Sequence, residues 1–249
     1  MDSLLHWLWS LTWQEAAWFM LAHNVAIFAV ALMGGNHAVR IWAARKVAPP
    51  PPELTGLEIG LAAVNVAITG VVAFAGWLLW KAGIIRLREA SFPGIVCDVA
   101  VLMLVMDFAM YWLHRLAHHP VLYRWVHHLH HRFDNPRPLT LFVLHPLENI
   151  AFGSLWLGVI TVAGIAGGFS FAGMILYLGL NVAFGVCGHL GVQPFGRRLR
   201  QLPVLRHFAG SVFHARHHAN EAMNFGFYTR VWDRLWGTGD RHTDPDHTN

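Results

Sequence analysis

The chain has 249 residues and a net charge of +4, with 13% charged and 55% apolar residues. Soluble domains carry about 25% charged residues, so this composition excludes an ordinary soluble domain. No nucleic-acid-binding motif accompanies the positive charge. Residues 149–196 contain no Asp, Glu, Lys or Arg, a stretch long enough for two membrane helices of ~20 residues each. The sequence therefore predicts an integral membrane protein.

Five apolar segments are long enough to span a membrane. Tryptophans precede the first segment, as is typical of a membrane interface, and a four-proline spacer at 49–52 separates it from the second. Gly167, Gly168 and Ser170 should turn the chain between the last two segments and form an antiparallel hairpin. The predicted fold is an all-α membrane bundle of four to five transmembrane or re-entrant helices, whose apolar segments are 16–35, 59–80, 94–112, 147–167 and 171–188.

The hairpin predicts which histidines lie on the same side of the membrane. His114 and His118 follow the third segment, the hairpin leaves that side and returns to it, and His189 follows the fifth segment. Many arginines accompany these histidines, which favours the cytoplasmic side. The loop at 81–89, with three basic residues on the opposite side, departs from this pattern. Compact size and frequent Ala, Gly and Arg favour a bacterial inner membrane over the endoplasmic reticulum.

The sequence divides into three parts. Residues 1–90 hold the first two apolar segments and form an N-terminal membrane part. Residues 91–240 hold the other three segments and most of the histidines. They form the predicted catalytic domain, which includes a cytoplasmic, helical, histidine-rich cap. Residues 241–249 are a tail.

Histidines are concentrated in boxes with helical spacing. Seven of the 18 histidines lie within 114–131. Side chains at i, i+3 and i+4 on a helix have Cβ atoms ~5–6 Å apart, which suits convergence on metal. Nine candidates are too many for one ion with about four to six ligands, and they predict two ions in one pocket. The candidates are His114, His118, His127, His130, His131, His189, His214, His217 and His218.

The metal and two neighbouring side chains stay open at this level. Imidazole suits iron, zinc, copper and nickel alike. Asp107 lies on the same helical arc as His114 and would either orient that histidine or be a polar residue internal to the helix. His145 would either contact metal or shape the entrance for a substrate. His119, His128 and His207 are left out of the predicted site.

Several motifs together resemble the fatty acid hydroxylase/sterol desaturase superfamily. They occur in that family's order and cover about half of the chain, while residues 1–90 show none of its signatures. The motifs are DFAMYWLHRLAHHPVLYRWVHHLHH (107–131), LHPLE (144–148), His189 after a span, FHARHH (213–218) and NFGFYTRVWDRLWGT (224–238).

This resemblance implies a membrane-embedded enzyme with two iron ions held by the nine histidines. Such enzymes use O₂ and external electrons to hydroxylate or desaturate a lipid-like substrate, such as a sterol, a fatty acyl chain or a carotenoid. The sequence has neither an HPGG haem segment nor a GxGxxG nucleotide site. Electrons are therefore expected to come from another protein. The arginines on the histidine side would either suit an acidic donor of the ferredoxin or cytochrome b5 type or anchor lipid headgroups.

Two other classes of function are also compatible with many histidines. A metal transporter or sensor should place histidines or carboxylates at mid-membrane depth, whereas these boxes lie at the ends of apolar segments. A haem-binding electron carrier needs two facing histidines within a bundle and has no need of clustered boxes. The oxygenase interpretation is therefore favoured.

Overall fold

The computed structural model describes residues 2–240, and it is mostly helical. Two short strands pair in parallel, Leu87 with Phe169 and Arg88 with Ser170. Two 3₁₀ turns cover Pro138–Phe142 and Leu205–His207, and a π-helical turn covers Tyr123–His127. The remaining elements, in chain order, are α1 (Asp2–Ser10), α2 (Trp13–Ile41), α3 (Gly56–Lys81), β1 (Leu87–Arg88), α4 (Phe92–Ala117), α5 (Pro120–Leu122), α6 (His128–His131), α7 (Pro146–Ile165), β2 (Phe169–Ser170), α8 (Phe171–Gly188), α9 (Arg197–Arg200), α10 (Ser211–Ala219) and α11 (Val231–Leu235).

Five helices, α2, α3, α4, α7 and α8, are long and apolar enough to cross a membrane, which confirms the predicted spans. Their starts follow from local capping chemistry. Thr12 and Thr55 each begin a helix with a capping box, completed by Glu15 and Glu58. This arrangement satisfies backbone N–H groups that have no partner at a helix start. α1 was not predicted as a helix.

α4 carries the first histidines beyond the apolar part of the bundle. Ser91 caps the start of this helix, and the helix runs for 26 residues. At 1.5 Å per residue it is ~39 Å long, whereas the hydrocarbon core of a bilayer is ~30 Å thick. The histidine-bearing end of α4 can therefore project past the core while its middle stays within it.

The turn of the α7–α8 hairpin lies beside the loop after α3. Gly167 and Gly168 have φ angles of 101° and 75°, a region that favours glycine. The β1–β2 pairing joins this turn to the loop, and Arg88 forms an ion pair with Asp98 near the start of α4. Asp98 also accepts hydrogen bonds from the Ser170 backbone and hydroxyl. Arg88 is thus paired with an acidic side chain, although it lies in the loop that departs from the predicted charge pattern.

The N-terminal helices hold the segment that follows the second histidine box. Asn65 of α3 donates hydrogen bonds to the carbonyls of Phe142 (3.0 Å) and Leu144 (2.8 Å). Buried Glu58 pairs with Arg137 at 3.2 Å. A Cβ on Gly35 of α2 would lie 2.7 Å from the Pro138 side chain, so the two segments meet closely there. Residues 1–90 therefore help to shape the histidine end of the bundle.

Replacing Asn65 with alanine should destabilise the protein by about 2 kcal/mol, because two part-buried carbonyls lose their donor, each at ~1 kcal/mol, the lower end of the range for unsatisfied buried groups. Thermal unfolding of the purified protein in detergent measures this change. Asn24→Ala is the matched control, since the Asn24 amide donates only to the Met20 carbonyl of its own helix. Equal effects of the two substitutions would contradict the bridging role of Asn65.

Candidate metal centre

The structure brings all nine predicted histidines together in two groups. In each group every residue offers a ligand nitrogen, and these atoms lie within 4.8 Å of one another. The four-histidine group draws on α6, α10 and the end of α8, and the five-histidine group draws on α4, the π-helical turn, α6 and α10. The five-histidine group is His114, His118, His127, His131 and His217, and the four-histidine group is His130, His189, His214 and His218.

Each HxxHH box contributes to both groups. In the second box, His127 and His131 belong to the five-histidine group, whereas His130 belongs to the four-histidine group. The third box does the reverse, since His214 and His218 belong to the four-histidine group and His217 to the other. The i,i+4 pair of each box thus serves one group, and the i+3 residue serves the neighbouring group. The two groups are adjacent because the boxes bridge them.

The Nε2 atoms of the histidines face one another. In the five-histidine group, His127 Nε2 lies 3.2 Å from the Nε2 atoms of both His114 and His131. In the four-histidine group, His214 Nε2 lies 3.1 Å from the Nε2 atoms of both His189 and His218. Each group is therefore a cluster of ring nitrogens around a shared point.

Hydrogen bonds on the opposite ring nitrogen assign the tautomer of several of these histidines. His114 Nδ1 lies 2.8 Å from the Phe225 carbonyl, and His217 Nδ1 lies 2.7 Å from the Met223 carbonyl. A carbonyl oxygen only accepts, so Nδ1 carries the proton and Nε2 presents a lone pair. The same arrangement holds for His130 with the Val143 carbonyl and His189 with the Gly185 carbonyl.

This geometry fits metal ions. His114 and His127 each direct Nδ1 to an oxygen acceptor, so their two Nε2 atoms, 3.2 Å apart, have no proton to share and their lone pairs repel each other. A cation between them removes the repulsion, and neutral imidazole is a common ligand of iron, zinc, copper and nickel. The residues present therefore suit two neighbouring ions of this class.

Asn224 positions two of the orienting carbonyls. It adopts a left-handed conformation with φ 62°, which asparagine tolerates better than most residues. Its side chain donates to the Phe213 carbonyl, and its backbone N–H donates to the Thr238 carbonyl. Because these two hydrogen bonds fix Asn224, its neighbours Met223 and Phe225 direct their backbone carbonyls to His217 and His114, respectively.

Burial keeps these histidines neutral. It lowers the pKa of His127 and His130 to about 4 each. Burial and the neighbouring His114 lower the pKa of His118 to about 2. Burial also lowers the pKa values of His217 and of the other ligand candidates on α10. At neutral pH these rings are therefore uncharged, which is the form that binds metal.

Glu148 is a member of the site that the sequence reasoning missed. Its carboxylate Oε1 lies 2.7 Å from His127 Nδ1 and is buried. A carboxylate in this position fixes the ring orientation of a metal-binding histidine and makes its other nitrogen more basic. The LHPLE motif held the signal, but only His145 was weighed there. His145 belongs to neither histidine group and caps the start of α7, where its Nδ1 accepts from the Leu147 N–H.

Replacing Glu148 with alanine should weaken metal binding at the five-histidine group by about 10–100-fold. Glu148→Gln should weaken it less, because the amide oxygen still accepts from His127 Nδ1. Titration of the purified protein with a competing chelator measures the affinity. The control is Glu221→Ala, since Glu221 is 46% exposed and lies 3.8 Å from His131 Nδ1. Identical losses in the alanine variants of Glu148 and Glu221 would exclude a specific role for Glu148.

Asp107 binds the C-terminal segment and makes no hydrogen bond with His114 in the described structure. Its carboxylate accepts from the backbone N–H groups of Tyr228 and Thr229, the Thr229 hydroxyl and the Trp232 indole. Asp233 similarly accepts from the backbone of the loop after Asn224, at Phe225. Asp107 therefore does not orient His114. It is a polar residue internal to α4, as the other alternative predicted, and its carboxylate binds the C-terminal segment. His119, His128 and His207, which were left out of the predicted site, lie outside both groups.

The chain was compared with known families and proteins. The fatty acid hydroxylase family matches residues 99–238. Protein CER1-like 1 of Arabidopsis thaliana is 30% identical over 70% of this chain and 29% of its own length. Methylsterol monooxygenase 1 of Danio rerio is 29% identical over 54% of this chain and 44% of its own length. Delta(7)-sterol 5(6)-desaturase ERG3A of Gibberella zeae is 26% identical over 73% of this chain and 50% of its own length.

The matched part spans about half or less of these three relatives. No solved structure matches the chain significantly. The family match itself covers more than half of the chain, and it runs from the first third of α4 to just after α11. It contains every histidine of both groups. The chain belongs to the fatty acid hydroxylase/sterol desaturase superfamily.

Proposed function

We propose that the protein is a membrane-bound oxidoreductase that hydroxylates or desaturates a lipid-like substrate with O₂ and external electrons. The observation that carries this proposal is the pair of adjacent histidine groups at the ends of membrane-spanning helices, in which every candidate ligand atom is a ring nitrogen. Membership of the family supports the same class of reaction. The proposed cofactor is a pair of iron ions, which would supply the oxidising chemistry when bound.

The nine histidines are the proposed metal ligands, with the five-histidine group holding one ion and the four-histidine group holding the other. His127, held by Glu148, and His130, held by the Val143 carbonyl, keep their Nε2 lone pairs directed inward. Because seven of the nine ligand histidines are buried and the other two are partly buried, the chain also limits access of bulk water. A dry site protects a reactive centre from side reactions.

The position of the centre suits a substrate that arrives from the membrane. α4, α7 and α8 converge on the histidines, and their apolar side chains extend from the site into the bundle. A lipid-like molecule could approach along this path without leaving apolar surroundings. Sterols are named among the substrates of two of the relatives, and a sterol, a fatty acyl chain or a carotenoid is proposed here.

We further infer that residues 91–240 form the catalytic domain and that residues 1–90 form an N-terminal membrane part that packs against it. The histidine end of the bundle is proposed to face the cytoplasm of a bacterial cell. Arg40, Arg45 and Lys46 support this orientation. Lys46 and Val47 pair with residues just after His189, so these basic residues lie at the histidine end, and basic residues favour the cytoplasmic side. An acidic ferredoxin or cytochrome b5 type of donor would complement the arginines on this face.

A metal transporter or sensor remains less well supported. Polar residues within the spans, such as Asn65 and Asp98, are bonded to other parts of the fold. Among the described residues, the only metal-compatible groups found are the two histidine groups. A transport path across the membrane needs sites at mid-membrane depth.

Elemental analysis of the detergent-purified protein, beside a His127→Ala/His131→Ala variant, tests the proposed function. The expected result is about two irons per chain, fewer in the variant, and O₂ consumption with a reductant and a lipid extract. Mass spectrometry of the extract should then show a mass gain of one oxygen or a loss of two hydrogens. A single zinc, or a metal content unchanged in the variant, would exclude the di-iron oxygenase.

A further inference from the structure

An apolar cavity of about 300 Å³ lies beside the metal centre and outside both histidine groups. One wall is a face of α8, formed by Leu180, Ala183, Phe184 and Cys187. The spacing of these residues places them on one helix face. Segment 193–213 forms the opposite wall. The volume is at the lower end of the ~300–1,000 Å³ range of small-molecule sites.

The cavity is close to the four-histidine group but separate from it. None of the nine histidines lines the cavity, whereas Phe213, the neighbour of His214, does. The Ser211 hydroxyl donates to the Cys187 carbonyl at 2.6 Å and ties the two walls together. A molecule in this cavity would therefore bind to residues that carry no metal.

One cationic side chain at the cavity has no acidic partner. Arg200 lines the cavity, and its Nε is buried with no hydrogen-bond partner. Residues 149–220 contain no Asp or Glu, and no ion pair of Arg200 occurs within residues 2–240. The Arg200 side chain as a whole is partly buried, and a cation in partly apolar surroundings is stabilised by an anionic partner. The cavity therefore has a charge that an anionic ligand would complement.

The segment that forms the outer wall has the composition of a membrane-interface element. Phe195, Leu199, Leu202, Val204 and Leu205 are all more than a third exposed. Basic residues alternate with them in the sequence, from 197 to 206. Exposed apolar side chains between basic residues are typical of segments that lie at the level of lipid headgroups. This is also the level at which single-chain amphiphiles present their charged ends.

We propose that this cavity binds a single-chain amphiphile with an anionic head group. The tail occupies the space between α8 and segment 193–213, and the Arg200 guanidinium binds the head group, for which two parallel hydrogen bonds to a carboxylate or phosphate are favourable. Arg230 also lines the cavity, where its Nε donates to the Phe208 carbonyl. The site does not depend on the metals or on the proposed oxygenase activity.

Binding of radiolabelled palmitate to the full chain in phosphatidylcholine nanodiscs tests this site. Arg200→Gln should weaken binding by about tenfold, equivalent to ~1.4 kcal/mol. Arg200→Lys should weaken it less, since the charge stays while the paired donors are lost. Arg198→Gln is the matched control, because Arg198 is exposed on the same segment. Hexadecanol should compete less well than unlabelled palmitate.

A second measurement needs no variant. Palmitate carrying a diazirine at its chain end, photolysed on the wild-type protein, should label peptides that contain residues 180–187 or 195–213. Equal competition by hexadecanol and palmitate, or equal binding by the Gln variants of Arg200 and Arg198, would overturn the proposal. So would labelling confined to other parts of the chain. Metal content of each variant, measured in parallel, separates this site from the metal centre.

Discussion

Replacing His130 with alanine is expected to remove metal from the same group as His189→Ala does. His127→Ala should remove metal from the other group. His130 and His189 belong to the four-histidine group, whereas His127 belongs to the five-histidine group. Each substitution should remove one of the two proposed ions and leave the other. Loss of an outer hydrogen-bond partner alone lowers metal affinity by about 10–100-fold, so loss of a ligand should have at least this effect.

Double variants distinguish the two groups more sharply. His130→Ala/His189→Ala removes two ligands from one group and should leave about one ion per chain. His127→Ala/His130→Ala changes two residues of the same box but damages both groups, so it should leave almost no metal. Elemental analysis of protein purified from iron-supplemented medium measures the difference. His128→Ala is the control, because His128 lies in the same box, is exposed, and belongs to neither group. Equal metal content in the two double variants would contradict the assignment of these histidines to separate groups.

A second large effect is expected on the stability of the folded protein at acidic pH. The metal-free protein should lose stability steeply as the pH falls below about 6.5, the ordinary pKa of histidine. Burial lowers the pKa of His127 and His130 to about 4 each in the folded protein. Between these values the unfolded chain binds protons that the folded chain does not. The stabilisation from each such histidine is therefore complete above pH ~6.5 and lost progressively towards pH 4, with a slope of ~1.4 kcal/mol per pH unit.

Thermal unfolding of chelator-treated protein at several pH values between 7.5 and 4.5 measures this slope. His127→Gln should make the slope shallower, because glutamine does not titrate in this range. His128→Ala should leave the slope unchanged, since His128 is exposed. A pH profile that is the same for wild type and His127→Gln would contradict the predicted link between burial of His127 and acid sensitivity.

Much of the fold was predictable because apolar runs and histidine spacing are local signals. The five spans follow from runs of about 20 apolar residues, and the boxes follow from i, i+3 and i+4 spacing. The assignment of His130 and His127 to different groups could not be predicted from spacing, because it depends on the positions of His189 and α10 in the fold. The π-helical turn Tyr123–His127, which directly precedes α6, is a further local feature that the spacing did not indicate.

The contacts that orient the site were harder to predict because they join distant parts of the chain. Asp107 contacts residues more than 100 positions later, and no local pattern indicates such a contact. Asn65 supports the segment around Val143 from the part of the chain that lacks family motifs. Glu148 lay within a recognised motif, yet its partner His127 is 21 positions away. Sequence spacing identified the ligand candidates, but tertiary structure is needed to identify the groups that hold them.

The dependence of His114 and His217 on the carbonyls of Phe225 and Met223 has a consequence for biosynthesis. Ribosomes make these residues after all five spans and after the last histidine box. While the spans are being inserted, the earlier histidines lack both their partner rings on α10 and the acceptors that orient them. The nascent chain thus lacks a complete ligand set for the two proposed ions, and both sites are completed only after the last histidine box and the loop that follows it have been made.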